Sequence, residues 1–305
     1  ALDIAKKMKI SPVPSVIAIA VSSNLQGAAT LVGDTTAIML SGHAGLNFLD
    51  FFVFQGKPGM FWIVQAGMVA SLLILLLVFR RATQAVDIKG ETKVEDYFPT
   101  ILLAGMIALL VVASFVPNKP AVTNGLICLS LFTIGLIREF IIKRDSHVFR
   151  QALGQIDYFT LLLLAGIFVL VGGVSEVGII DDISSALVQV GRGDVFVVYT
   201  LLVWGSVAVS AFIDNIPYVA TMLPVVAGVA SSLGVEPFLL YFGLLSGATL
   251  GGNLSPVGAS ANIAAIGILR KEGHEVSTGQ FMKIGVPFTL AAVTVGYVLV
   301  WLLWS

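Results

Sequence analysis

GATLGGNLSPVGASANIAAIG, residues Gly247 to Gly267, sets a run of Gly, Asn, Ser and Pro inside an otherwise apolar, membrane-length segment. A helix broken in lipid leaves backbone N–H and C=O groups without partners, at several kcal/mol each. Such breaks persist where they line a polar cavity, and in secondary transporters that cavity holds the ion and substrate. The segment points to a transporter rather than a membrane anchor.

Composition agrees. Of 305 residues, 57% are hydrophobic and 11% charged, where soluble domains carry about 25% charged residues. Met60–Phe79, Pro99–Val116, Tyr158–Val174 and Ile284–Trp304 each suffice to cross a hydrocarbon core, which takes about 17–25 residues. The expected fold is an all-α polytopic membrane protein. The net charge of −1 carries no information about partners, and no nucleic acid is expected. Cys128 is the lone cysteine, so an internal disulfide is excluded, and it reads as a packed core thiol. No cleavable signal or soluble domain is visible.

The apolar pattern gives a broken span at Pro14–Leu40 and whole spans at about 60–79, 99–116, 121–137 and 157–174. A pair of segments at 194–213 and 216–232 follows, then a second broken span at 236–268 and a last span at 284–304. In this map Lys6, Lys7, Lys9, Arg80, Arg81, Lys89 and Lys93 share one side with Arg138, Lys143, Arg144, Arg150, Arg270, Lys271 and Lys283. Only Lys57, Lys119 and Arg192 lie opposite. The positive-inside rule makes the first side cytoplasmic. The N-terminus is then expected inside, the C-terminus outside, and 194–232 must enter and leave from the outer face. Either a re-entrant hairpin or two short spans would do so.

A shift of 225 positions lays Met60–Phe79 on Gly285–Trp304 and the first broken span on the second. Pro12 meets Pro237, Leu25 meets Leu250, Gly27 meets Gly252, Val32 meets Val257, Gly33 meets Gly258, Ile38 meets Ile263 and Gly42 meets Gly267. The matches fall around the break, and the two copies run in opposite directions in the charge-derived topology. This is the pattern of an inverted repeat. Residues 1–95 would then be the later part of the first repeat and 96–305 the second. By the same offset the partner of 194–232 would end near Lys7, implying that roughly 125 residues of the first repeat precede Ala1.

Three segments carry candidate chemistry. Asp214 sits in SAFIDNIPYVATMLP, Ser210 to Pro224. An ionised Asp at mid-membrane costs about 2.5–3.5 kcal/mol on insertion scales, and is kept where it pairs, protonates or binds a cation. Asn215 can cap the following helix, with Pro217 suiting its first turn. Asp214 then stands at a hairpin tip; capping near the interface is its structural alternative. Asp34, in GAATLVGDTTAIM, Gly27 to Met39, falls at the first break, where Gly33 permits a tight backbone. Asp34 or Thr35 can cap the second half-helix, whose positive dipole end would face the cavity. Thr30, Thr35 and Thr36 offer hydroxyls, Asn24 and Gln26 amides. In the second break Asn253, Ser255, Ser260 and Asn262 are neutral oxygen donors, while Gly251, Gly252 and Gly258 bare backbone carbonyls. Such oxygens suit Na⁺, and oriented amides suit an anion or neutral oxyacid. Small-residue helix packing is the rival explanation.

Other polar residues are weaker candidates. His43 and Asp50 read as an interfacial turn, His147 and His274 as solvated, Glu176, Asp181 and Asp182 as wet, and Asp157 as a cap.

Together GAATLVGD, SAFIDNIPYVATMLP and GATLGGNLSPVGASANI resemble the ion transporter superfamily of arsenite permeases and NhaD-type sodium–proton antiporters, over nearly the whole chain. The resemblance implies two inverted repeats, each with a re-entrant hairpin and a broken helix, and a homodimer with an elevator-like motion. It also implies that Asp214 and Asn215 occupy the outer hairpin tip and that Asn253 to Asn262 form the second unwound stretch. Related divalent-anion symporters carry Ser-Asn-Thr at their tips, and here the tip reads Ile213-Asp214-Asn215. A carboxylate there would repel a dicarboxylate unless protonated or cation-bound.

The expectation is a secondary active ion transporter of the inner or plasma membrane, with no cofactor and with Na⁺ or H⁺ as candidate coupling ion. Sodium–proton antiport and efflux of arsenite or another oxyanion stand nearly level, the two intramembrane acids slightly favouring antiport. A passive channel differs by lacking a coupled counter-ion. An intramembrane aspartyl protease would need Gly at Leu31 to make its GxGD signature, and Leu31-Val32-Gly33-Asp34 lacks it, so no enzyme is expected.

Overall fold

The computed structural model describes residues 2, 5, 10–80, 96–117, 119–120, 122–144, 147–156 and 158–305. Lys6, Lys7, Lys9, Arg81, Lys89 and Lys93, which carry part of the charge argument, lie outside the described residues, as does Asp157. The chain forms two compact units, one of residues 1–46, 50–88 and 167–305, the other of 47–49 and 89–166.

In the first unit the order is α1 (Val13–Gly27), α2 (Thr35–Ala44), a two-stranded hairpin of β1 (Val53–Phe54) and β2 (Lys57–Pro58), and α3 (Met60–Phe79). The second unit holds α4 (Phe98–Ser114), α5 (Thr123–Lys143) and α6 (His147–Gly154). The helix α7 (Tyr158–Glu176) leads back to α8 (Ile179–Val190), α9 (Val195–Ser210), α10 (Asn215–Leu233), α11 (Phe238–Gly251), α12 (Ser260–Lys271) and α13 (Thr278–Trp304). Among the described residues α3, α5, α10 and α13 are long and apolar enough to cross a membrane, and the bent pair α7–α8 adds one more. This is an all-α, multi-pass membrane protein.

The elements keep the 225-residue spacing. Val13 and Phe238 open the first halves of the broken spans, Thr35 and Ser260 the second halves, and Phe79 and Trp304 end the long helices. Equivalent residues also touch. A Cβ on Gly67 would sit 3.2 Å from the oxygen of Ala292, 225 positions on, while Ser71 Oγ donates to the oxygen of Phe288 at 2.9 Å. As one residue number rises by four the other falls by four, so α3 and α13 pack antiparallel. Asn24 Nδ2 donates to the oxygen of Thr249, again 225 positions on, at 2.7 Å.

Around these contacts α11 packs against α9 through a row of glycines. A side chain on Gly247 would lie 2.5 Å from the oxygen of Val203, and one on Gly251 2.6 Å from Cα of Val207. Small residues at this spacing let two backbones meet closely, which replaces the hydrophobic drive that lipid removes. Leu244, Gly247 and Ala248 on α11 and Val300 on α13 are buried. Their counterparts in the first copy, Ile19, Ser22, Ser23 and Leu75, instead line an open groove.

Two elements differ from the sequence expectation. The loop expected after α7 is helical: α7 ends at Glu176, Gly178 at φ +79 turns the chain, and α8 leaves at 75° to α7. Its Asp181 and Asp182 are exposed, but Ser184 donates to the oxygen of Val225 at 3.0 Å in the space that Gly228 leaves. An amphipathic helix of this kind is invisible to a search for uniformly apolar runs. The loop before α3 carries the β hairpin, turning at Gln55 and Gly56 with φ of 50° and 75°, and Phe54 packs on Phe238 and Trp304.

In the second unit α4 and α5 are joined at one end. Arg138 near the end of α5 grips both oxygens of Asp96, at 2.6 and 3.1 Å, and lies 4.2 Å over the ring of Phe98. Asp96 also accepts from the N–H of Phe98 at 2.9 Å. The guanidinium holds the Asp96 carboxyl below the usual carboxylate range.

Candidate functional site

Both broken spans open at a pair of glycines six residues apart. A Cβ on Gly33 would lie 2.5 Å from the oxygen of Gly27, and one on Gly258 2.6 Å from the oxygen of Gly252. The chain therefore folds back on itself at the same place in each copy. Past the first break Asp34 is the N-cap of α2 in extended conformation, its Oδ1 accepting from the N–H of Thr35 at 2.7 Å. Past the second, Ala259 takes the same place, also extended, with no side-chain cap for α12.

The hairpin tip between α9 and α10 meets these breaks. Asp214, not Asn215, caps α10: its Oδ1 accepts from the N–H of Ile216 at 3.0 Å. Two adjacent residues compete for one cap, and Asp214 takes the extended geometry outside the helix that a cap requires. Asn215 is thereby freed, and its Nδ2 donates to Asp34 Oδ2 at 3.3 Å. Ser260, the first residue of α12, donates to Asp214 Oδ2 at 3.2 Å. One tip thus touches α2 through Asn215 and α12 through Asp214.

A cavity of about 90 Å³ lies here, lined by Ser23, Asn24, Gly27, Gly33, Asp34, Asn215, Ser260 and Ala261. Asp34 and Asp214 are both half-buried. Asp34 accepts three hydrogen bonds, from Thr35 N–H, Thr36 Oγ1 at 3.2 Å and Asn215. Each such bond to a charged group contributes about 1.5–3 kcal/mol against the cost of burying an ionised acid.

Behind the cavity runs a buried polar network. Thr36 Oγ1 is 2.9 Å from Thr249 Oγ1, and Asn24 Nδ2 reaches Asn253 Oδ1 at 3.1 Å as well as the Thr249 oxygen. Asn253 Nδ2 donates to the oxygen of Val21 at 3.0 Å. Ser255 donates to the oxygen of Ala211 at the tip of α9 and accepts from the N–H of Gly258 at 3.2 Å. Asn262 Nδ2 ties the second break to itself, donating to the oxygens of Gly252 and Ser255, each at 3.1 Å. Asn262 Oδ1 is buried without a partner.

The structure brings Asp214, Asn215, Asp34, Asn24, Ser260, Asn253, Ser255 and Asn262 into one connected region. Thr35 enters it through its backbone N–H. Thr30 stands outside, its backbone oxygen accepting from Gly33. Gln26 pairs with Gln65 on α3 at 2.9 Å, and His43 Nε2 lies 3.1 Å from the hydroxyl of Tyr241. Thr249 and Ser23 were not among the sequence candidates. Thr249 was findable, because it is the counterpart of Asn24 under the 225-residue shift.

Against known proteins, the family model described as CitMHS, citrate transporter, matches residues 1–245. An uncharacterized transporter of Mycobacterium tuberculosis strain H37Rv is 30% identical over 309 residues, covering 99% of this chain and 70% of that protein. An uncharacterized transporter of Synechocystis is 25% identical over 329 residues, with 99% and 71% covered. The P protein of Mus musculus is 30% identical over 204 residues, 64% of this chain and 24% of that protein. The family and the bacterial relatives bear the names of transporters, not of enzymes.

Proposed function

Since the chain belongs to the CitMHS citrate transporter family, we propose that it is a secondary active transporter in which Asp34 and Asp214 alternately take and release a proton or Na⁺. The observation that carries this reading is a cavity lined by Asp34, Asn215 and Ser260, where Asn215 donates to Asp34 and Ser260 to the neighbouring Asp214. Carboxylates so placed suit a small cation, and when ionised they would repel a tricarboxylate. Sodium–proton antiport of the NhaD type fits best. Efflux of arsenite or a similar oxyacid is the second reading. It is favoured by α12, whose first N–H groups have no side-chain cap and open on the same cavity.

The same proposal has the two copies related as an inverted repeat. Supporting it are the equal element spacing, the antiparallel packing of α3 on α13 and the direct contacts of residues 225 apart. The open groove beside Ser22 and Ser23 would then seat the first copy's counterpart of α9 and α10. Alternating access would come from movement of the repeats in a homodimer of the inner or plasma membrane. Residue 10 would face the cytoplasm and Ser305 the outside.

The test uses proteoliposomes with an internal pH dye and an imposed inward-acid gradient. Na⁺, Li⁺, arsenite and citrate are added in turn. Proton efflux triggered by Na⁺ or Li⁺, lost in Asp214→Asn and Asp34→Asn, supports antiport. A response to arsenite alone moves the protein to the second reading. Normal coupling in both well-expressed variants removes the carboxylate mechanism.

A further inference from the structure

The hydroxyl of Thr36 stands between two claims on its single hydrogen. Asp34 Oδ2 lies 3.2 Å away and Thr249 Oγ1 2.9 Å away, and both threonines are fully buried. A threonine hydroxyl donates once and accepts through two lone pairs, whereas an ionised carboxylate only accepts. When Asp34 is ionised, the charge-assisted bond is the stronger, so the Thr36 hydrogen points at Asp34. Thr249 must then donate to Thr36. When Asp34 is neutralised, that claim weakens, Thr36 can donate to Thr249, and the Thr249 hydrogen must turn to another acceptor. In a helix that acceptor is a backbone oxygen three or four residues back. The charge state of Asp34 in one broken span is thereby written as a hydroxyl orientation in the other.

Thr249 is placed to pass this on. Its backbone oxygen accepts from Asn24 at 2.7 Å, and the same amide holds Asn253 Oδ1 at 3.1 Å in the second unwound stretch. We propose that the Thr36–Thr249 hydroxyl pair couples the load on Asp34 to the second broken span, making Thr249 a positioning residue for transport. It acts through Thr36 and touches no carried ion. The proposal rests on Asp34 as a site of loading. Asp34 is the titratable group that lines the cavity, and Asp214, on the α9–α10 tip, stands beside it through Ser260; α1 and α12 present Asn24, Ser260 and Ala261, and α11 presents Thr249 behind them. Tyr218 on α10 has its hydroxyl held by Ser206 at 3.0 Å.

Amide hydrogen exchange over residues 249–262 tests this in the full-length protein in lipid vesicles, with no transported substrate required. Exchange is compared at a pH where Asp34 is protonated and one where it is ionised, each fixed by the infrared carboxyl band that Asp34→Asn removes. The wild type is expected to differ at least threefold in exchange rate between the two. Thr249→Val should abolish the difference and Thr249→Ser should restore it. Thr36→Val should act as Thr249→Val does, and carries the test should Thr249→Val not fold; the double variant should add nothing. A difference that persists in both Val variants, or is lost in Thr249→Ser, overturns the coupling. If Asp34→Asn itself keeps the difference and transports normally, the loading role of Asp34 falls instead. A wild type without any difference ends the proposal.

Discussion

The side-chain amide of Asn24 donates to the backbone oxygen of Thr249, the residue 225 positions further along the chain. Under the proposed inverted repeat, equivalent positions in direct contact would lie next to the axis relating the two copies. Asn24 is buried there and also holds Asn253 Oδ1. Asn24→Leu keeps the branching and the number of side-chain heavy atoms and removes the donor from both acceptors. Each buried unsatisfied group costs about 1–3 kcal/mol, so the melting temperature in detergent should fall by several degrees or more. An unchanged melting temperature would show that the Asn24 bonds add nothing.

Two pairs of matched glycines should answer differently to alanine. At Gly33 and Gly258 the added carbon meets backbone oxygens at 2.5 Å, from Gly27 in the first case and Ser210 in the second. Neither oxygen can move without unpicking the break, so both variants should lose about 2 kcal/mol or more and express poorly. Gly42 and Gly267 are also counterparts, but sit in helices with open space around them. Alanine there should be neutral or stabilising by about 0.5–1 kcal/mol. Equal effects at all four positions in a thermal-shift series would contradict the geometry.

Antiparallel packing of α3 on α13 makes a cross-linking prediction. In a Cys128→Ser background, Gly67→Cys with Ala292→Cys should form a disulfide under mild oxidation. Gly67→Cys with Val300→Cys, two turns further along α13, should not. The reverse result would remove the antiparallel register.

Asp96 and Arg138 give a pH dependence outside the spanning helices. The folded carboxyl is held below its unfolded value by the Arg138 guanidinium. Its contribution is therefore present above the unfolded value, near 3.9, and is lost as pH falls through the folded one. Acidification should accordingly speed amide exchange at the start of α4, and Asp96→Asn should show the faster exchange already at neutral pH. A pH-independent difference of zero between wild type and Asp96→Asn would mean that this pair ties nothing together.

Asn215→Ala would separate the tip's two contacts. It removes the donor to Asp34 while Asp214 still caps α10 and still meets Ser260. Gradient-coupled proton flux in vesicles should fall about tenfold with the protein folded. Retained flux would mean that the link between α10 and Asp34 is dispensable.

Sequence alone determined the membrane class, the two breaks, the 225-residue spacing and the acids most expensive to keep in lipid. Each follows from a local rule: uniform hydrophobicity over membrane length, glycine where the backbone must turn back, a carboxylate where hydrocarbon would otherwise exclude it. Local rules stop where partners are remote in the chain. Nothing within ten residues of Asn215 shows that its amide will reach Asp34, 181 positions away, once Asp214 has taken the cap. Nor does sequence show that Thr36 will meet Thr249 or that Thr30 will stay apart. The apolar residues of α8 are spaced around one face and form no uniform run, and that they meet α10 follows from Ser184 and Gly228, which let the two helices approach. Which polar groups satisfy one another is a matter of distance in space. Only the packed tertiary structure decides it, because a buried donor takes whichever acceptor the fold sets before it.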